Sequence, residues 1–191
     1  MPHHETPEYH AQKKIKRYKE QDPKQVAMYL KAIRRIDPSK VTYVDETGID
    51  TYLHREYAYS KRGEKVVGCI SGKKYRRVGI VAAQIGKDIL APLQYDGTMD
   101  SCLFEAWFET RLMCELPSDC VIVMDNAAFH RKRRLTLITQ KHGHTIIFLP
   151  PYAPEYNPIE NFWAWIKGRL RKTLPFFDNF DDALQDCFMS I

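Results

Sequence analysis

The run Cys120-Val121-Ile122-Val123-Met124 is short, unbroken in its apolar character and β-branched, and Asp125-Asn126 follows it at once. Such a segment suits a central strand buried on both faces, which requires a sheet covered by helices. Thr145-Ile146-Ile147-Phe148-Leu149 reads as a second buried strand of the same kind. Three more strands are expected: Val41 to Glu46, Arg77 to Gln84, and Ile89 to Tyr95. The last two are joined by a turn at Gly86-Lys87-Asp88 and read as a hairpin. Residues 50–70, rich in Tyr and charge, read as irregular.

Helices fill the intervals. The first starts at Pro23 with Asp22 as its cap, carries Val26, Leu30 and Ile33 on one face, and stops at Asp37-Pro38. Ser101 to Leu116 is amphipathic, with Leu103, Phe104, Trp107, Phe108, Leu112 and Met113 as its apolar positions. Arg131 to His142 and Pro158 to Lys172 follow, and Phe180, Ala183, Leu184, Cys187 and Phe188 mark a last helix. The order strand, hairpin, helix, strand, helix, strand, helix predicts an α/β fold with a mixed five-stranded sheet flanked by helices. Residues 1–38 are expected to be an N-terminal tether and helix, and residues 39–191 the folded domain.

Of the 191 residues, 44% are hydrophobic and 28% charged, the profile of a soluble globular chain. No apolar run approaches the ~20 residues of a membrane span. Nothing apolar follows Met1-Pro2-His3-His4-Glu5, so a secretory signal is not expected. These features predict a cytoplasmic protein, nucleoid-associated if it binds DNA. Five cysteines, at 69, 102, 114, 120 and 187, form no CxxC pair and read as small buried hydrophobes. The net charge of +5 says less than its distribution. Basic residues gather at Lys13 to Arg17, Lys73 to Arg77, Arg131 to Arg134 and Lys167 to Lys172. Each cluster alone suits a solvated face; as a set they lean towards a surface that contacts nucleic-acid phosphates.

Three acidic residues stand out. Asp45 is expected at the end of the first strand and Asp125 at the end of the fourth, where open α/β sheets bind ligands. Strand alternation puts Glu46 on the face opposite Asp45, so only one of the two can be a ligand. Glu160 falls in the first turn of the helix after a proline-rich loop. It reads equally as a metal ligand or as the third position of a capping box begun by Asn157. Converging carboxylates repel one another unless a divalent cation sits between them, and hard oxygen donors suit Mg²⁺ or Mn²⁺. Two such ions can drive phosphodiester chemistry with no covalent protein nucleophile. His130, five residues past Asp125, reads as a donor to a metal ligand, as a phosphate contact, or equally as a surface histidine at the start of a helix. His142 and His144 have no further Cys or His nearby to make a zinc site. Val121 to Asp125 also looks like the acidic strand of a nucleotide hydrolase, but no GxxxxGK[ST] loop exists.

Three blocks, Val44-Asp45-Glu46-Thr47-Gly48, Val123-Met124-Asp125-Asn126-Ala127-Ala128-Phe129-His130 and Leu149-Pro150-Pro151-Tyr152-Ala153-Pro154-Glu155-Tyr156-Asn157-Pro158-Ile159-Glu160-Asn161-Phe162-Trp163, closely resemble the catalytic blocks of mariner-like DDE transposases of the bacterial insertion-sequence type. The 34 residues between Asp125 and Glu160 match the spacing that family uses. The resemblance implies a ribonuclease H-like fold, with Asp45, Asp125 and Glu160 as the catalytic triad that holds Mg²⁺ or Mn²⁺, two ions in all. It also implies cleavage of DNA at transposon ends, joining of the 3′-hydroxyl to target DNA, and a homodimer assembled on DNA. Family members usually carry an N-terminal helix-turn-helix region, for which residues 1–40 are too short. Either that segment is encoded upstream and supplied as a partner, or the chain is a truncated, inactive remnant that at most binds DNA or oligomerises.

Overall fold

The computed structural model describes residues 18–53, 59–69, 71–73 and 75–190. The basic run at 13–17, Lys74 and most of the expected tether lie outside them. One sheet holds β1 (Val41–Asp50), β2 (Arg77–Ile85), β3 (Asp88–Asp96), β4 (Val121–Met124) and β5 (Thr145–Phe148), in the order β3-β2-β1-β4-β5. β1, β2 and β3 pair antiparallel, while β4 and β5 run parallel to β1. This is the mixed five-stranded sheet the element order predicts.

The helices are α1 (Pro23–Ile33), α2 (Ser101–Trp107), α3 (Met113–Glu115), α4 (Lys132–Lys141), α5 (Ile159–Thr173) and α6 (Phe180–Met189). They cover both faces of the sheet. On one side Val44, Val81, Ile122 and Met124 pack against Phe104, Phe108, Leu135 and Ile138. On the other, Ile49, Val78, Ile80 and Ala82 meet Ile159, Trp163, Ile166 and Leu170 of α5 and Ala183 and Leu184 of α6. β2 sends side chains into both cores, so Val78 and Ile80 to Ala83 are fully buried. α1 closes a third, smaller cluster in which Tyr29 packs on Val41, Val123 and Leu149. As expected, Asp22 caps it, accepting from the Lys24 N–H at 2.9 Å.

Four expectations need correction. β1 runs to Asp50 rather than stopping at Glu46, because its second half pairs with the start of β2 (Ile49 opposite Val78) and Ile49 is buried under α5 and α6. β5 is an edge strand, only half-buried, because nothing pairs beyond it. The helix from Ser101 is interrupted by a π turn at Phe108–Leu112. At five-residue spacing Met113 stands over Phe108, and both enter the same core. Cys69, Cys102 and Cys114 are exposed; only Cys120 and Cys187 are buried. Cys102 and Cys114 sit on the solvent side of the rod whose other side carries Phe104, Trp107 and Phe108.

Gly79 is required by a close approach. A Cβ built there would lie 2.2 Å from the Tyr95 ring on β3. Tyr95 in turn packs against the first core. Gly79→Ala is therefore expected to destabilise the fold by about 1–3 kcal/mol through overpacking. Urea denaturation of the two proteins measures the difference, and equal midpoints would show that the ring moves aside without cost.

Candidate active site

The parallel register between β1 and β4 ends at Tyr43 opposite Val123. Beyond it β4 stops at Met124, whereas β1 continues with β2, so a crevice opens where Asp45 and Asp125 stand. Asp45 therefore lies in mid-strand, opposite Ala82, rather than at a strand end. Alternation still sorts the adjacent acids as expected. Asp45 faces α5, where its Oδ2 accepts a hydrogen bond from Trp163 Nε1 at 3.0 Å. Glu46 points to the opposite face, where its Oε1 is 3.3 Å from His130 Nε2.

Asp125 begins a tight turn, its Oδ1 accepting from the Ala127 N–H at 3.0 Å. The same oxygen is 3.2 Å from His130 Nδ1. His130 thus sits between two carboxylates, Asp125 and Glu46. Its side chain is only 1% exposed, with the Phe104 and Phe129 rings 4.4 and 4.3 Å away. Asn126 ties the end of β4 to the proline-rich loop, donating from Nδ2 to the Leu149 carbonyl.

That loop delivers Glu160. Ile159, Trp163, Ile166 and Leu170 anchor α5 on the sheet, which leaves Glu160 exposed in the first turn. Burying the three aliphatic side chains contributes about 1.5–3 kcal/mol each. The capping-box reading of Asn157 is not realised. The helix has no side-chain cap. Asn157 is instead buried, with its Nδ2 3.4 Å from the Val44 carbonyl, bracing the loop against β1 one residue before Asp45.

The electrostatics connect these groups. Asp45 is pushed up to about 8, first by burial and then by the negative charges of Glu160, Glu46 and Asp125. For Asp125 burial raises the value, but His130 and the Ala127 N–H outweigh it and leave the group below the ordinary carboxylate range. Burial lowers His130, yet Asp125 and Glu46 together lift it to about 9. Lys167, two turns beyond Glu160, is lowered by burial, against the attraction of Glu160 and Asp45; Arg77 and Arg171 act on it as further positive charges. All three cations belong to clusters predicted to meet phosphates.

Other parts of those clusters are paired internally. Arg131 holds Glu105 through two bonds of 2.6 Å, Arg134 reaches Glu109 at 3.8 Å, and Arg76 bridges Asp96 and Asp181. The charges of Glu160 and Asp125 both act on Asp45. Among the described residues, no three His, Cys, Asp or Glu side chains stand close enough together to hold an ion as they are. The sequence alone assigns Trp163 no contact with Asp45; a buried indole on the helical face of a candidate ligand needs a partner for its N–H, and that is the available signal.

The shifts predict a pH dependence. A group whose folded pKa is raised stabilises fully below its unfolded value, and that stability is lost as pH rises through the folded one. For Asp45 the window runs from 3.8 to about 8, and for His130 from 6.5 to about 9. The melting temperature of the metal-free chain is expected to fall with pH, most steeply from about 6.5 to 8 where the windows overlap. Asp45→Asn is expected to flatten that decline. Calorimetry from pH 5 to 9 checks both, and identical slopes would remove Asp45 as a cause.

Residues 40–183 match the family model described as DDE superfamily endonuclease. An uncharacterized protein, y4pE/y4sA of Sinorhizobium fredii, is 32% identical over 72 residues, which cover 35% of this chain and 47% of that protein, so the match spans about half of its length. The strand transfer complex of Mos1 superposes with a TM-score of 0.64 at 13% identity, over 94% of this chain and 66% of that one. The Mos1 mariner paired end complex with Mn gives 0.60 at 12%, over 93% and 64%. The Mos1 transposase catalytic domain with raltegravir and Mg gives 0.54 at 11%, over 87% and 91%. These likenesses give the fold, the ribonuclease H-like arrangement of a mixed five-stranded sheet flanked by helices. With most of its length matched by the family model, the chain belongs to the DDE endonuclease superfamily.

Proposed function

We propose that this chain is the catalytic domain of a DNA transposase, which cleaves DNA at transposon ends and joins the 3′-hydroxyl to target DNA. The observation that carries the reading is Asp45, a largely buried acid bonded to Trp163 Nε1, raised to about 8 first by burial and then by the negative charges of Glu160, Glu46 and Asp125. A divalent cation supplies the balancing charge. The donor set fits Mg²⁺ or Mn²⁺, being made of hard carboxylate oxygens. Asp45, Asp125 and Glu160 would hold two ions, with side-chain rotation at Asp125, which is 48% exposed, and at the exposed Glu160. When bound, such ions activate a water or a 3′-hydroxyl and stabilise the leaving oxygen.

The protein's own groups orient and balance the site. Trp163 fixes the rotamer of Asp45, and His130 restrains Asp125 from the side away from solvent. Lys167, Arg171 and Arg77 offer positive charge to the phosphates of a bound strand. The partners of this reading are transposon-end and target DNA and a second copy of the chain. A helix-turn-helix segment encoded upstream would read the ends. Residues 1–38 would then be tether and helix, and 39–191 the catalytic unit, acting at the nucleoid. The Mos1 strand transfer complex and the Mos1 paired end complexes with Mn and with Mg support the assignment by their shared fold.

Asp125→Asn is expected to abolish Mg²⁺- or Mn²⁺-dependent nicking of a duplex carrying the terminal repeats while leaving the melting temperature close to wild type. Glu46→Gln should do much less, because glutamine can still meet His130. Equal, severe losses would contradict the choice of ligand. No nicking by the wild type, with the upstream segment restored, would favour an inactive remnant. Trp163→Phe keeps the packing but removes the donor to Asp45, and is expected to weaken metal affinity about 10- to 100-fold by isothermal titration. An unchanged affinity would reduce that bond to a packing detail.

A further inference from the structure

One feature beside the crevice is not used by the proposed chemistry. Tyr152, in the proline-rich loop, has φ +58°, a left-handed backbone that a bulky residue rarely adopts. Its side chain nevertheless stands in solvent, 54% exposed. The backbone is held from across the chain, since Gln21 Nε2 donates to the Tyr152 carbonyl at 3.1 Å and to Glu155 Oε1 at 2.7 Å. A second exposed ring, Tyr18, lies with its centroid 6.0 Å from that of Tyr152.

The two rings border a cleft of about 650 Å³ whose wall also includes Asp125, Asn126, Leu149 and Pro151. It shares Asn126, Leu149 and two prolines with a neighbouring cleft of about 440 Å³ that contains Lys132. The Lys132 ammonium lies 4.9 Å from the Phe148 ring, so a cation and an aromatic surface occur together there as well. Aromatic rings interleaved with positive charge along a groove suit single-stranded nucleic acid, whose bases stack while its phosphates are neutralised. Because Asp125 lines the same cleft, a strand reacting there would pass beside the two rings.

We infer that Tyr152, with Tyr18, is a stacking platform for an unpaired nucleobase of the DNA strand next to the phosphate being cut or joined. This rests on the nuclease reading, and it makes Tyr152 a positioning residue for the strand rather than a group that handles protons. The platform role accounts for an exposed tyrosine at a left-handed position that glycine would fit without cost.

The left-handed backbone supplies a well-behaved variant. Tyr152→Gly removes the ring and relieves the strain, so the melting temperature is expected to stay level or rise. The test compares binding, by fluorescence anisotropy in EDTA, of a blunt duplex and of the same duplex with a short single-stranded thymine overhang. The wild type should favour the overhang at least about fivefold, the lower end expected for stacking one base. Tyr152→Gly and Tyr18→Ala should each erode that preference, and Tyr152→Phe should keep it. A preference unchanged in Tyr152→Gly would overturn the inference, as would a Tyr152→Gly variant that loses affinity for both DNAs alike. A wild type that nicks duplex with Mn²⁺ but shows no overhang preference would sink the platform alone. Failure to nick and to bind either DNA would sink the nuclease reading with it.

Discussion

A carboxylate placed where water is scarce and other carboxylates are near is the constraint on which this molecule turns. Asp45 stands in the middle of the central strand, under α5, with Glu160, Glu46 and Asp125 as its neighbouring charges. Removing an ionised carboxyl from water costs several kcal/mol in real proteins. The packing of Ile159, Ile166 and Leu170 against the sheet is of comparable or larger size. The apolar contacts are large enough to dock α5 over the buried acid, and burial with the neighbouring negative charges favours the protonated form of Asp45. Among the described residues Asp45 has no salt-bridge partner, and under the proposed reading an external positive charge would supply one.

The surroundings of the crevice divide the work of holding the acids. Trp163 addresses Asp45 from the α5 side, whereas His130 addresses Asp125 and Glu46 from the side of the helix that begins at Ser101. The opposite orientation of Asp45 and Glu46, adjacent in sequence, follows from strand alternation alone. It gives one acid to the crevice and the other to the histidine. Asn126 and Asn157 brace the proline-rich loop at its two ends, through the Leu149 and Val44 carbonyls. The position of Glu160 thus depends on backbone contacts with the same two strands that carry the other two acids.

Much of this was legible in the order of residues. The apolar run ending at Met124 fixed a covered strand and put Asp125 at its mouth, and hydrophobic spacing located α5 with Glu160 in its first turn. What escaped was decided by partners distant in the chain. β1 is longer than its apolar pattern because β2 pairs with Thr47 to Asp50, and β5 is an edge because of sheet order rather than its own composition. Asn157 and Glu160 fit a capping box locally, but burial against β1 claims the asparagine. Trp163 belongs to the core under α5, yet its indole N–H also meets Asp45. In the basic run from Arg131, which looked available for phosphates, Arg131 and Arg134 pair with Glu105 and Glu109, whereas Lys132 lies over the Phe148 ring.

The central claim is that Asp45, Asp125 and Glu160 share divalent ions. Crystals of the protein soaked in manganese chloride test it directly through anomalous scattering. The account predicts anomalous peaks in the crevice, with Asp45 Oδ1 or Oδ2 as a common ligand and Asp125 and Glu160 turned inward from their metal-free rotamers. Saturating manganese that appears only elsewhere on the surface, with Asp45 still bonded to Trp163 and no metal beside it, would contradict it.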